Sequence, residues 1–499
     1  MNQEQFENLT AEDFKFAAQG EAIKDKKPET KPVGYFRDAW RRFKKNKASL
    51  VAMCIILFLI LFSLIVPLVS SYDMSFSDPV YRNRIPKNSA LSHIGIATGT
   101  YKKELNQRAM EYYAAIGIGA EYDKATDTED NSAGIGGKYA AIRKITGTTV
   151  DRTVVKMDAY LEIGFRYVSI TQSEFQAILE YENATGETVV YPMVNIYDSS
   201  IDDSTDANYW YRTDENNRAV KDASGNYEDL YMRDDDGNVV YYLNRDANGI
   251  YVRVLYYKYF VYKNGTEPEF LFGSNQVGQD ILVRLASGIR LSLLLAVGVS
   301  VINLVIGAIY GTIEGYYGGT TDLVMERIVD ILSGLPFIVV ATLFQLHFAK
   351  SAGVLGSLLF AFVLTGWIGT SRRVRTQFYR FKNQEYVLAA RTLGASDARL
   401  MFKHIFPNTL GTIITSSVLV IPNVIFSESM LSYLGIVNLD GTTMTSIGAM
   451  LSDGQTVLSA FPHVILFPAL VISLLMISFN LFGNGLRDAF NPSLRGVDE

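Results

Sequence analysis

The run SLVAMCIILFLILFSLIVPLV, from Ser49 to Val69, carries no charge, and roughly 20 apolar residues suffice for a helix to cross the hydrocarbon core of a bilayer. A segment apolar on every side has no face to show to water, so this run alone makes the chain a membrane protein. A removable secretion leader would have a short basic start, an apolar stretch of roughly 7 to 15 residues and a small-residue cleavage site. Here the mostly polar residues 1–48 precede the run and no such site follows it. The run is therefore expected to stay attached as an anchor.

Hydrophobic runs return at 291–313, 328–348, 353–370, 408–432 and 463–483, which predicts six transmembrane helices in an all-α membrane protein. Arg41, Arg42, Lys44, Lys45 and Lys47 precede the first run, and basic clusters of this kind stay in the cytoplasm. With the N-terminus inside, alternation puts residues 371–407 in the cytoplasm as well. There Arg372, Arg373, Arg375, Arg380, Lys382, Arg391, Arg399 and Lys403 obey the same bias. The expected division is a disordered cytoplasmic tail at 1–35, a basic juxtamembrane segment and first span at 36–72, and an inserted extracytoplasmic domain at 73–270. The remaining spans follow at 271–485, including the cytoplasmic loop 371–407, and a cytoplasmic tail occupies 486–499.

Residues 73–270 contain no spanning run, hold most of the 30 tyrosines, and have more acidic than basic side chains. Gly225, Gly237 and Gly249 are evenly spaced in KDASGNY, DDDGNVVYY and DANGIYVRV, each before a β-prone stretch. That pattern predicts a meander of hairpins, and the more mixed first half makes the domain α+β. The Asp-rich turns lack the full D-x-[DN]-x-[DN]-G-x5-E spacing, and Asp before Gly is ordinary turn chemistry, so no metal is expected. Cys54 is the only cysteine, so the domain must fold without disulfides. No nucleophile and base can be paired, so no catalytic residue is expected, and nothing points to nucleic acid.

Between the fourth and fifth runs lies NQEYVLAARTLGASDARLMFKHIFPN, too polar for lipid and rich in helix formers on both sides of Gly394. It reads as helix, turn, helix: Ala389 and Ala390 give a small-residue face, Gly394 permits the turn, and Pro407 restarts the chain toward the fifth span. The segment resembles the EAA loop of bacterial ABC importer permeases. Glu385, Tyr386, Val387, Ala389, Ala390, Arg391, Gly394, Ala395, Ser396 and Pro407 fit its oligopeptide, dipeptide and nickel version. Leu388 stands where that pattern usually has glutamate, with Glu385 placed to compensate. FGSNQVGQDILVRLASGIRLSL, EGYYGG, MERIVDILSGLPF, ESMLSYLGI and LRDAFNPSLR are similar to the C-type subunit of that family. Gln279 replaces a usual arginine there, and Asn484 a usual aspartate.

The resemblance implies a permease that moves oligopeptides or dipeptides into the cell, with nickel chelates or other small solutes open as cargo. It implies a homologous second permease, two cytoplasmic ATPase subunits docked on the EAA loop, and an extracytoplasmic substrate-binding protein. ATP and Mg would sit on the ATPase subunits and no cofactor on this chain. The sequence agrees, since it has no G-x-x-x-x-G-K-[ST] and GIGGKYA near Lys138 has the wrong spacing.

An acidic group such as Asp at mid-bilayer costs roughly 2.5 to 3.5 kcal/mol on insertion scales, so acidic residues in or beside apolar runs face protein or water. Glu428 and Asp330 are accordingly candidates for an intramembrane polar site. Glu428 is expected to contact the partner permease or to line the path, and Asp330 to pair with Arg327 at the interface. His347 and His463 are expected as interfacial anchors rather than ligands. A membrane-anchored receptor using the tyrosine-rich domain would not need an EAA loop. An ion-driven secondary transporter would favour inverted repeats and broken helices, and no such repeat is visible.

Overall fold

The computed structural model describes residues 35–116, 138–149, 151–199, 201, 206–216, 218–225, 227–246 and 249–490. The tails expected at 1–35 and 486–499 lie almost wholly or largely outside these. Amphipathic α1 (Tyr35–Lys45) lays Ala39 and Phe43 against Phe482, Leu486 and Ala489. Asn46 then caps α2 (Lys47–Val69), its side chain accepting the Ser49 N–H at 3.2 Å. Phe58, Leu61, Ile65 and Leu68 of α2 are exposed, a pattern that suits lipid and not water.

Residues 73–270 fold around strands and short helices: α3 (Ser89–Ser92), β1 (Thr100–Leu105), α4 (Gln107–Ile116), β2 (Ile142–Thr148), β3 (Thr153–Asp158), β4 (Phe165–Ile170), α5 (Gln172–Thr185), β5 (Val190–Tyr191), β6 (Tyr242–Asp246), β7 (Gly249–Leu255) and α6 (Tyr256–Asn264). They form an antiparallel sheet in the order β1-β3-β2 and a second in the order β4-β7-β5, with β6 also paired to β7. Tyr81, Tyr160, Phe260 and Phe270 fill the core beside the first sheet, and Ile178, Val189, Val252 and Val254 that of the second.

The hairpin turns follow local chemistry. Asp222 and Asp234 accept backbone N–H groups two residues on, and Gly225 and Gly237 take φ near +87° and +86°. Gly249 opens strand β7, which pairs antiparallel with β6 as the hairpin pattern predicts. The two ends of the domain meet. The Asn83 N–H donates to the Asn275 carbonyl at 2.8 Å, the Asp78 N–H to Gly278 at 3.1 Å, and Tyr72 stacks on Phe270 at 4.9 Å. Gln279, in place of the usual arginine, is buried and closes this junction through a side-chain amide pair with Asn275.

The apolar part comprises α7 (Ile281–Tyr317), α8 (Gly319–Ser333), α9 (Phe337–Gly366), α10 (Ile368–Phe381), α11 (Glu385–Thr392), α12 (Asp397–Arg399), α13 (Phe406–Val418), α14 (Val420–Tyr433), α15 (Ile447–Val457) and α16 (His463–Phe490). Five helical stretches among the described residues are long and apolar enough to cross a membrane: 47–69, 281–317, 337–381, 397–433 and 463–490. The protein is mostly helical there, with one departure from the expected boundaries. The stretch expected at 328–348 is broken at Gly334 to Pro336, so α8 is a separate helix and the apolar one begins at Phe337. Within α9, Gly353 has φ +74° and ψ 164°, a conformation open to glycine and not to a helix interior. The chain reverses there, since Phe337 and Phe362 stack with centroids 4.8 Å apart, whereas 25 residues of straight helix would separate them by roughly 37 Å.

Candidate coupling site

The loop expected to carry coupling is seated on α7 and α10. Gly307, Gly311 and Gly315 recur every fourth residue along α7 and let α10 lie directly against it. A Cβ on Gly311 would fall 2.3 Å from the Ser371 carbonyl oxygen, and one on Gly315 2.7 Å from Phe378 Cβ. Close approach of this kind is how helices associate where no water drives them together. At the end of this seam Tyr316, Val374 and Phe378 meet Val387, Leu400, Met401 and Ile405 in one buried cluster.

Val387 is fully buried and pins α11, while the polar edges are tied to the same base. The Tyr316 hydroxyl donates to the Asp397 carboxylate at 2.5 Å, Lys382 Nζ to the Gly315 carbonyl at 3.0 Å, and the Asn408 amide to the Tyr386 hydroxyl at 3.1 Å. Helix α11 ends in a Schellman cap: the Ala395 N–H donates to the Ala390 carbonyl and the Gly394 N–H to Arg391, with Gly394 at φ +79°. Pro407 lies in the first turn of α13, directly after a π-helical stretch at Leu400–Ile405. Having no N–H, it cannot continue the α-helical ladder back to Lys403, and the wider turn absorbs the break.

Ala389 and Ala390 do not share a face. Ala390 packs toward the buried cluster, whereas Ala389 points out with Glu385, Arg391 and Ser396. Leu388, in the place of the usual glutamate, is 44% exposed, and Leu393 at the tip is 88% exposed. The result is a rigidly seated helix, turn and helix that presents an apolar tip.

Beside it runs an ionic network that spacing alone did not reveal. Arg375 pairs with Asp322 at 2.5 Å and with the fully buried Glu314 at 3.4 Å, while Arg372 bridges Glu326 at 3.2 Å and Asp330 at 3.1 Å. The Arg375 guanidinium holds the Asp322 carboxyl below its usual range. Asp330 also pairs with Arg327 at 3.2 Å, as expected, but on exposed α8 ahead of the apolar helix.

Glu428 is 1% exposed within this chain and accepts hydrogen bonds from Ser292 and Ser432, both at 3.0 Å. These contacts join α14 to α7, and Asp330 does not share the surroundings of Glu428. Two further polar groups were missed. Arg284 is buried and pairs with Asp440, which also accepts from Thr445 at 2.9 Å. His463 is buried against the Gly273 backbone, so it locks the domain junction, while His347 is exposed with Nδ1 3.0 Å from the Leu343 carbonyl. Asn484 is exposed on α16 between the tightly packed Gly483 and Gly485.

Long apolar helices bearing such a loop define the membrane component of a transport system. Residues 303–496 match the family described as the binding-protein-dependent transport system inner membrane component. Residues 34–86 match the N-terminal TM domain of oligopeptide transport permease C. The chain is 44% identical over 226 residues to the oligopeptide transport system permease protein OppC of Bacillus subtilis, covering 45% of this chain and 72% of that protein. It is 42% identical over 227 residues to the dipeptide transport system permease protein DppC of the same organism, covering 45% and 69%. To OppC of Escherichia coli it is 37% identical over 234 residues, covering 46% and 74%. This chain belongs to the C-type oligopeptide and dipeptide permease family of ABC transporters, a transport subunit and not itself an enzyme. Residues 87–302 lie between the two matched segments.

Proposed function

We propose that this chain is one permease of an ATP-driven importer of oligopeptides or dipeptides, paired with a second, homologous permease. Two cytoplasmic ATPase subunits, holding ATP and Mg, dock on residues 385–407, and a substrate-binding protein delivers cargo from outside. The observation that carries the reading is the apolar tip at Leu388, Ala389 and Leu393, held by a buried anchor and left bare in the isolated chain. The reversal at Gly353 supports six crossings, an even number that leaves both termini on one side, and the basic residues at 41–47 and in 371–407 favour the inside for them and the outside for residues 73–270. In that position the domain is available to the loaded binding protein.

Purification of the tagged chain from its native membrane tests the reading. The expected companions are a second permease and two ATPases, with ATP hydrolysis that supports peptide uptake in proteoliposomes. The Ala389→Asp variant should reach the membrane at normal level, lose the ATPases and lose uptake. Recovery of the chain without any ATPase, or normal uptake by that variant, overturns it.

A further inference from the structure

Residues 73–270 hold two cavities side by side, of about 320 and 390 Å³, within the size range of small-ligand sites. Tyr112 and Tyr113 of α4 divide them, and their hydroxyls reach Asp206 at 3.3 Å and Glu162 at 3.0 Å. On one side the wall continues with Tyr209 and Tyr211, giving a cleft of four tyrosines. On the other, Arg84, Arg166, Glu162, Asp206 and Asn208 line the space.

The acidic groups of that second cavity are already engaged. Glu162 accepts from Lys103 at 2.6 Å and from Tyr101 at 2.5 Å, and Asp206 accepts the backbone N–H and side-chain amide of Asn208 at 2.8 and 2.9 Å. Asn208 is fixed in turn, its carbonyl accepting the Phe165 N–H at 2.6 Å. The two guanidinium groups are not so occupied. Arg84 gives Nη1 to the Ala159 carbonyl at 2.8 Å, but its Nε is buried with no hydrogen-bond partner. Arg166 is exposed and makes no ion pair among the described residues. A buried donor without a partner is an unmet demand, and a guanidinium group matches a carboxylate in geometry as well as charge.

We infer that this cleft binds a short peptide by its C-terminal end, the carboxylate on Arg84 and Arg166 and the last side chain, aromatic or large and apolar, against the tyrosines. The inference rests on the peptide-import reading and gives the domain a role in capturing cargo. Aromatic walls beside a few fixed polar groups suit such a ligand, since rings supply contact area and the charges set its direction.

The test is calorimetry on the full-length chain in nanodiscs with an alanine-rich pentapeptide ending in phenylalanine, its C-terminal amide, and maltopentaose as a neutral comparison. The free acid should bind, the amide at least tenfold more weakly, and the sugar not at all. Arg166→Glu, at an exposed position where folding is not at stake, should weaken the free acid at least tenfold, with circular dichroism unchanged. No binding of the free acid, equal binding of acid and amide, binding of the sugar instead, or an unaffected Arg166→Glu variant each overturns the site. Uptake of the same peptide by the assembled transporter separates the two ideas. Uptake without binding to this chain removes the cleft and leaves the import reading, whereas binding without uptake does the reverse.

Discussion

The glycines of the α7–α10 seam and the glycine of the coupling turn occupy neighbouring parts of the molecule for opposite reasons. At Gly311 the backbone is ordinary helix and the space is full, so that any Cβ strikes the Ser371 carbonyl. At Gly394 the space is empty, nothing lying within 4 Å of an added Cβ, but the backbone sits at φ +79°. The first position rejects every side chain by volume and the second rejects them by conformation. A residue that tolerates the left-handed region can therefore stand in for the second and never for the first.

The seam should break hardest. Gly311→Val forces atoms into backbone and is expected to cost well over about 3 kcal/mol, beyond ordinary overpacking, since a carbonyl cannot step aside as a side chain can. Membrane abundance, measured by immunoblot, should collapse, and near-normal abundance would show that α10 can move away. Arg375→Ala comes next: it strips Glu314, 0% exposed, of its cation and should cost roughly 3 to 5 kcal/mol, with Arg375→Lys restoring part. Equal thermal stability of the two variants in detergent would assign Glu314 another partner. Gly394→Ala should cost about 1 to 2 kcal/mol and Gly394→Asn distinctly less, because asparagine visits the left-handed region more readily. The reverse order would mean that volume matters at the turn after all. Smallest in stability is Leu393→Asp, expected within about 0.5 kcal/mol because the side chain is almost bare. Its effect should appear instead as loss of copurifying ATPase, and retention of a full complement would remove Leu393 from the contact.

Much of this was legible in the sequence where the determining chemistry is local. The apolar run at 49–69 needs only its own residues to be read, and so do the Asp turns closed by Gly225 and Gly237. The helix, turn and helix around Gly394 was legible for the same reason, down to the cap residue, although the division of Ala389 from Ala390 was not. That division depends on where Tyr316 and Val374 lie, some seventy and fifteen residues upstream. The network of Arg372 and Arg375 with α8 was hidden likewise, because its partners are about fifty positions apart. The break after Ser333 was missed because hydropathy alone runs through Gly334 to Pro336, although the proline itself was a signal. The recurrence of Gly307, Gly311 and Gly315 was another signal in plain view.

The meeting of the two ends of the domain has a mechanical consequence. A domain strung on two separate flexible cords would swing like a float, and a tug at its far side would be spent on straightening slack. Here the segment of Asp78 and Asn83 is laced to that of Asn275 and Gly278 immediately before α7, and Tyr72 stacks on Phe270 beside it. A load arriving on the far side would pass through this stiff neck as torque on α2 and α7 together, making the domain a handle on the bundle.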